Sequence, residues 1–310
     1  MSGATLTPFR SALLAPRHWP AWLGLGATWL LGRLPYRTAL GIGRAFGALL
    51  ARLPGERGDV ALKNLELCFP QLDARSRRRL RDDNLRDAGC MLAEFALGWM
   101  ASDRAIARIP RRIEGMEHLR ALESQGRGAL LVGGHFSHLE LCARLLSSSF
   151  PIAGMYREMD SVVFERAVLA ARLHYARAMF TKNDLRGAVR YLKSGGTLWY
   201  APDQDMRGKD HVFAPFFGVP AATITATHHL ARLSGAAVLP FAHRRLERGA
   251  GYVLEIGAPM EDFPGADVTV DTARVNAEIE RMVRAAPAQY LWTHKRFKTR
   301  PPGSAPVYVR

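Results

Sequence analysis

From residue 128 onwards the chain alternates short apolar runs with segments of helical period, and this alternation most limits the folds open to it. GALLVGG at 128–134, the stretch 152–156, TLWYA at 197–201, AAVLPFAH at 236–243 and GYVLEIGAP at 251–259 each have the length of a buried strand. Helical segments fall between them: near 160–178, from Asp184 to the stop at Gly195 and Gly196, and near 223–234, with a last helix over roughly 272–286. Strands separated by helices are joined by crossovers, which build a parallel sheet covered on its faces. The expected fold is α/β, a largely parallel central sheet flanked by helices. Further helical patterns run from Asp73 to Trp99 and near 115–125.

The amino end has a different character. Residues 18–32, HWPAWLGLGATWLLG, are uncharged and carry Trp19, Trp22 and Trp29, but they fall short of the roughly 20 residues needed to cross a bilayer. A second apolar run at 39–53 has Arg44 and Arg52 interleaved, with Arg33 and Arg37 just before it. Tryptophan and arginine together suit a headgroup boundary. A cleaved secretory signal fits poorly, because the arginines follow the apolar core and no small-residue cleavage site stands there. The expectation is a retained helical membrane anchor, spanning or lying flat, over residues 1–55, followed by a catalytic domain over 56–310; an ordinary buried helical hairpin is the competing reading. The run Arg75, Arg77, Arg78, Arg79, Arg81 reads as a solvated face or as a contact with anionic lipid.

Composition narrows the class. With 310 residues, 48% hydrophobic and 23% charged, the chain is neither disordered nor a polytopic membrane protein. Cys68, Cys90 and Cys142 lack CxxC spacing and are odd in number, which argues against a disulfide scaffold and a thiolate zinc site. Lys and Arg number 43 against 28 Asp and Glu, a net charge of +15, so a polyanion is expected as partner: nucleic acid, anionic lipid or a phosphorylated substrate.

Reactive groups in open α/β sheets gather at the carboxyl ends of strands, and GALLVGGH puts His135 there. Glu140 follows five residues later, in His-Phe-Ser-His-Leu-Glu, an HX4E spacing. With His135 in the turn and Glu140 on the next helix, the carboxylate is expected to hold one imidazole nitrogen and leave the other to accept a proton. No GxSxG elbow precedes it, so such a base would act on a substrate hydroxyl. A structural histidine at a strand end is the alternative. His138 makes an HxxH pair with His135, but no third metal ligand is apparent nearby, so no metal is expected.

These motifs resemble the lipid A biosynthesis acyltransferases, the lauroyl and myristoyl transferases of Gram-negative bacteria, within the lysophospholipid acyltransferase-like superfamily. The resemblance rests on RGDVALKNLELCFP at 57–70, the HX4E block, Met155-Tyr156-Arg157, WYAPDQD at 199–205, VFAPFFGVPAAT at 212–223 and YLWTHKRFKTRPPG at 290–303. It implies transfer of a fatty acyl chain from acyl carrier protein to a hydroxyl of a Kdo-bearing, phosphorylated lipid A precursor, at the cytoplasmic face of the bacterial inner membrane. It also implies that His135 is the base and Glu140 its partner, and that Arg172 and Asp203 match functional positions.

An acyl thioester is already activated, so the reaction needs a base and an oxyanion stabiliser but no cofactor. Arg157 and Arg172 are expected to hold phosphate or the oxyanion, or else to be surface charges. Asp203 and Asp205 suit a site after a strand, or a tight turn. The tail His294, Lys295, Arg296, Lys298, Arg300 is expected to grip sugar phosphate or acidic lipid, or to be solvated. No recognisable nucleic-acid module appears. A glycerolipid acyltransferase and a non-catalytic adaptor binding anionic lipid are the alternative functions.

Overall fold

The computed structural model describes residues 3–308 apart from 7, 10 and 206–209, so the expected anchor and domain spans are seen only in part at those positions. The chain opens with α1 (Trp19–Arg33), α2 (Tyr36–Leu50), α3 (Glu56–Cys68), α4 (Ala74–Met100) and α5 (Asp103–Ala107). Strands and helices then alternate: β1 (Arg111–Glu114), α6 (Met116–Ser124), β2 (Ala129–Val132), α7 (Leu139–Ser147), β3 (Ala153–Tyr156), α8 (Val162–Tyr175), β4 (Met179–Thr181), α9 (Leu185–Lys193) and β5 (Thr197–Tyr200). A hairpin of β6 (His211–Phe216) and β7 (Val219–Ile224) precedes α10 (Ala226–Ser234), β8 (Ala237–Arg245), β9 (Tyr252–Ile256) and α11 (Val268–Ala285).

Seven strands form one sheet in the order β1-β9-β8-β2-β5-β3-β4. Strands β8, β2, β5, β3 and β4 are parallel neighbours, while β9 turns antiparallel to β8 and carries β1 alongside. The largely parallel α/β sheet is therefore present. Local signals act as expected: Asp184 caps α9 by accepting from the Gly187 amide at 2.9 Å, and Asp73 caps α4 from Ser76 at 2.7 Å.

The hairpin was not legible in the apolar pattern, because Pro215 and Pro220 interrupt it. They face each other in register, and both strands of a two-stranded ribbon are edges, where a missing N–H breaks no ladder. Phe217 and Gly218 close the turn with φ of 52° and 76°, the left-handed geometry of a tight hairpin.

Period-two alternation splits the central strands between two cores. Leu130 and Val132 pack with Leu198, Val238, Leu192, Leu230 and Ile279, under α9, α10 and α11. Ala129 and Leu131 face the other way, with Trp199, Leu239, Leu97, Leu141 and Leu145, under α4 and α7. The result is three layers, helix on sheet on helix.

Helix α4, about 40 Å long at 1.5 Å per residue, is the brace against which α2 lies. Their contact is backbone on backbone. A Cβ at Gly89 would stand 2.2 Å from the Gly43 carbonyl oxygen and 2.4 Å from the Gly47 nitrogen, and one at Gly47 would stand 2.4 Å from the Arg86 oxygen.

No helix among the described residues is long and apolar enough to cross a membrane. At 15 residues α1 is about 22 Å long, short of the roughly 30 Å hydrocarbon layer, so the spanning form of the expected anchor is not supported. Apolar side chains are nevertheless exposed in rows: Trp19, Leu23 and Leu30 on α1, and Ile42, Phe46, Leu49 and Leu50 on α2.

Gly89→Val should lower stability by at least about 1–3 kcal/mol, because neither helix can yield without losing the contact. Gly41→Ala, on the same α2 but with nothing within 4 Å of the added carbon, should be neutral or stabilising by up to about 1 kcal/mol. Thermal unfolding of the two variants beside the parent checks the contrast; equal losses would mean that the α2–α4 approach is not as close as described.

Candidate active site

The site is set by strand register. Val132 of β2 pairs with Tyr200 of β5, and His135 and Asp203 each lie three residues beyond that pair. Two adjacent parallel strands thus deliver the histidine and the aspartate to the same level at the carboxyl edge of the sheet. Close approach is allowed at Gly133, where a Cβ would meet the Phe241 carbonyl oxygen at 2.7 Å. Main-chain bonds then fix the loop, Leu291 N–H donating to the His135 carbonyl and Ser137 N–H to that of Gln289, both at 2.9 Å.

His135 Nδ1 lies 2.5 Å from Asp203 Oδ1, and the His135 amide donates to Asp203 Oδ2 at 2.8 Å. The His135 side chain is 30% exposed and that of Asp203 only 1%. Burial alone would raise the Asp203 carboxyl, but the neighbouring His135 charge, hydrogen bonds from its ring and main chain, and the Tyr290 hydroxyl bring it far below the usual carboxylate range. An ionised Asp203 can only accept, so in the neutral imidazole the proton sits on Nδ1 and Nε2 is left as the acceptor.

Glu140 does not hold His135, and that expectation is corrected. Its carboxylate instead takes a bidentate pair from Arg172, Nε at 2.9 Å and Nη2 at 2.7 Å, together with the Tyr175 hydroxyl at 2.7 Å. Five residues of separation are not proximity here. Glu140 sits in the first turn of α7 and turns towards α8, whereas His135 stays in the loop, fastened to the neighbouring strand end. Burial would raise the Glu140 carboxyl, but the Arg172 guanidinium and the hydrogen bonds from Arg172 and Tyr175 lower it below its ordinary value. Arg172 also lies over the Tyr156 ring, 5.5 Å from its centroid. Beside this pair opens a narrow cleft lined by Leu139, Ile152, Met155, Met179 and Trp199.

Other expected residues separate. Arg157 follows β3, its side chain 69% exposed and paired with Asp160 at 3.4 Å. Asp205 is structural: it accepts from the Thr299 amide and hydroxyl and so pins the carboxyl-terminal tail. That tail is neither solvated nor a free basic grip at its centre. Trp292, Arg296 and Phe297 are buried, and Arg296 donates to the Ala222 carbonyl and the Thr223 hydroxyl, both at 2.6 Å, while Lys295 pairs with Glu56.

Sequence reasoning missed Tyr290, which bonds Asp203 from the tail, and Asp87, which accepts from the Ser137 hydroxyl and also binds Arg245. These groups lie more than 50 residues from the loop they support, or nearly so, and no spacing rule reaches that far. Tyr175 was within reach, standing three residues after Arg172 on the same helix face.

The fold is that of an α/β protein carrying a histidine–aspartate pair at the carboxyl edge of its sheet. The chain belongs to the bacterial lipid A biosynthesis acyltransferases, whose family model matches residues 6–299. It is 42% identical over 299 residues to the lipid A biosynthesis lauroyltransferase of Escherichia coli strain K12, covering 96% of this chain and 97% of that one. It is 39% identical over 302 residues to the lipid A biosynthesis palmitoleoyltransferase of the same strain, covering 97% and 98%. A lipid A biosynthesis acyltransferase of Haemophilus influenzae is 37% identical over 310 residues, covering 99% of each. The chain is thus an acyltransferase, and this membership favours the lipid A branch over the glycerolipid branch and over a non-catalytic adaptor.

The two carboxylates should separate in experiment. Asp203→Asn presents an amide to Nδ1, favours the wrong tautomer and should lower kcat by about 10²–10⁴ with little change in melting temperature. Glu140→Gln leaves the Arg172 charge partly buried without its partner and should cost about 3–5 kcal/mol. The Glu140 carboxyl is depressed in the folded protein, so its stabilisation is complete above the unfolded value of 4.5 and is lost as pH falls from there through the lower folded one; the gap between parent and Glu140→Gln should begin to narrow only below about 4.5. Kinetics and thermal melts of both variants check this. A Glu140→Gln protein of full stability with the larger kcat loss would return the orienting role to Glu140.

Proposed function

We propose that the chain transfers a fatty acyl group from acyl carrier protein to a hydroxyl of a Kdo-bearing lipid A precursor, with His135 as general base and Asp203 as the group that orients it. The half-exposed imidazole on a buried ionised aspartate carries this reading. His135 Nε2 takes the proton of the acceptor hydroxyl as its oxygen attacks the thioester carbonyl; the tetrahedral intermediate collapses, the C–S bond breaks, and the imidazolium returns the proton to the leaving thiolate. Asp203 remains ionised throughout and stabilises the imidazolium.

Glu140 has a different part. By holding the Nε–Nη2 edge of the Arg172 guanidinium it aims a permanent positive charge beside the apolar cleft. In this reading the cleft receives the acyl chain and Arg172 faces the thioester oxygen or a substrate phosphate. Arg157, exposed after β3, is a further contact for phosphate. The +15 charge supports recruitment of an acidic carrier protein and of anionic lipid alike.

Residues 1–55 then serve as a flat-lying membrane platform, with the remainder as the catalytic domain. The exposed rows on α1 and α2 support this, as does Arg33 stacked 4.9 Å over the Trp29 ring, an arrangement suited to headgroup depth. The cytosolic donor puts the site on the cytoplasmic face of the inner membrane.

Purified protein in detergent should acylate a Kdo-bearing lipid A precursor from acyl carrier protein, His135→Ala should abolish the transfer, and the rate should fall as salt is raised. Transfer confined to lysophosphatidic acid would sink the assignment of acceptor. Binding to vesicles of mixed anionic and neutral lipid should drop about tenfold or more when Leu23, Phe46 and Leu49 are together replaced by Ser, since each buried apolar side chain is worth roughly 1.5–3 kcal/mol. Unchanged co-sedimentation would mean that this face does not meet the membrane.

A further inference from the structure

Among the described residues, a buried cluster of ligating side chains stands beside the proposed acyl-transfer site and has no part in it. His138 stands at the amino end of α7, and Cys142 follows four residues later on the same helix face. His243 comes from β8, the other neighbour of β2: Pro240 pairs with Val132, so His243 lies three residues beyond the pair, level with His135 and Asp203. One ligand atom from each of His138, Cys142 and His243 falls within 4.8 Å of the other two. Some point then lies no more than about 2.8 Å from all three, and inward shifts of well under 1 Å would reach the 2.0–2.3 Å of zinc bonds to nitrogen and sulfur.

The second observation is chemical. All three side chains are buried, with exposures of 0%, 0% and 4%. Among the described residues, His138 Nε2 and both ring nitrogens of His243 meet no hydrogen-bond partner of normal geometry, with the main chain of His243 close to the His138 ring. Orphaned polar nitrogens at such depth are rare and call for a ligand. The two rings meet edge to face, centroids 4.8 Å apart, enclosed by Phe136, Phe241 and Tyr252.

We propose that His138, Cys142 and His243 bind one thiophilic divalent cation of the zinc class, with a water in the fourth position. On binding, the Cys142 thiol releases its proton to solvent and bonds the metal as thiolate. The cation would fasten the loop that carries His135, and the start of α7, to strand β8. This role is one of positioning and is independent of the identity of the acyl donor and acceptor. The HxxH pattern hinted at a metal but concealed the ligand set: one histidine of the pair turns to Asp203, and the remaining ligand arrives from a strand about a hundred residues on.

Because the cluster is sealed, metal must enter as the chain folds, so the full-length protein is to be produced in zinc- or cobalt-supplemented medium and purified in detergent without chelator. Elemental analysis should find close to one equivalent. The cobalt form should show visible d–d absorption and a thiolate-to-cobalt charge-transfer band in the near ultraviolet. Cys142→Ser should lose that band and His243→Asn should lower occupancy by about tenfold or more, whereas Cys68→Ser and Cys90→Ser should keep both. If Cys142→Ser does not fold, an unchanged band in the other two cysteine variants still identifies the sulfur as that of Cys142. Occupancy below about a tenth of an equivalent, or a charge-transfer band that survives in folded Cys142→Ser, overturns the proposal.

Discussion

Parallel pairing of β2 with β5 is the constraint on which the rest of the site depends. It is a backbone interaction, indifferent to the side chains it aligns, yet the register Val132 with Tyr200 is what brings His135 and Asp203 to a common level. A slip of one residue would reverse every side chain on the strand and send Leu130 and Val132 to the wrong core. Two buried cores, each claiming alternate residues of the same strands, therefore hold the geometry of the His135–Asp203 pair. The precision of the dyad is a consequence of hydrophobic packing several residues away.

Around that frame stand two systems of buried charge, among others. One joins α7 to α8 through Glu140, Arg172 and Tyr175; the other joins α4 to the His135 loop and β8 through Asp87, Glu94, Arg245 and Ser137, with Arg245 reaching Glu94 at 2.5 Å. Charges so deeply placed are costly unless every partner is present. Each system makes the position of a helix relative to the sheet an all-or-none matter. The loop that carries His135 lies between the two, supported from both sides.

The amino-terminal helices follow another rule. Where α2 meets α4, glycines remove the side chains that would hold the axes apart, and the main chains touch. The side chains that would otherwise fill such an interface point outward, which is why so many large apolar groups of α1 and α2 are exposed. A close internal contact and an apolar outer surface are two aspects of one arrangement.

Much was legible in the chain itself. Apolar runs of strand length separated by helices required a largely parallel α/β sheet, because only crossovers join such strands, and GALLVGGH put His135 at a strand end on that ground alone. The helix start at Asp184 was read from local hydrogen-bonding habits, which act within one turn. What tertiary structure decided was partnership. Glu140 is five residues from His135 and binds Arg172; Asp203 is sixty-eight residues away and binds His135. The burial of Arg296, the tie from Tyr290 and the meeting of His138 with His243 belong to the same class. Strand register and helix packing determine which distant groups meet, and those are properties of the whole core, whereas periodicity and capping are properties of a few neighbouring residues.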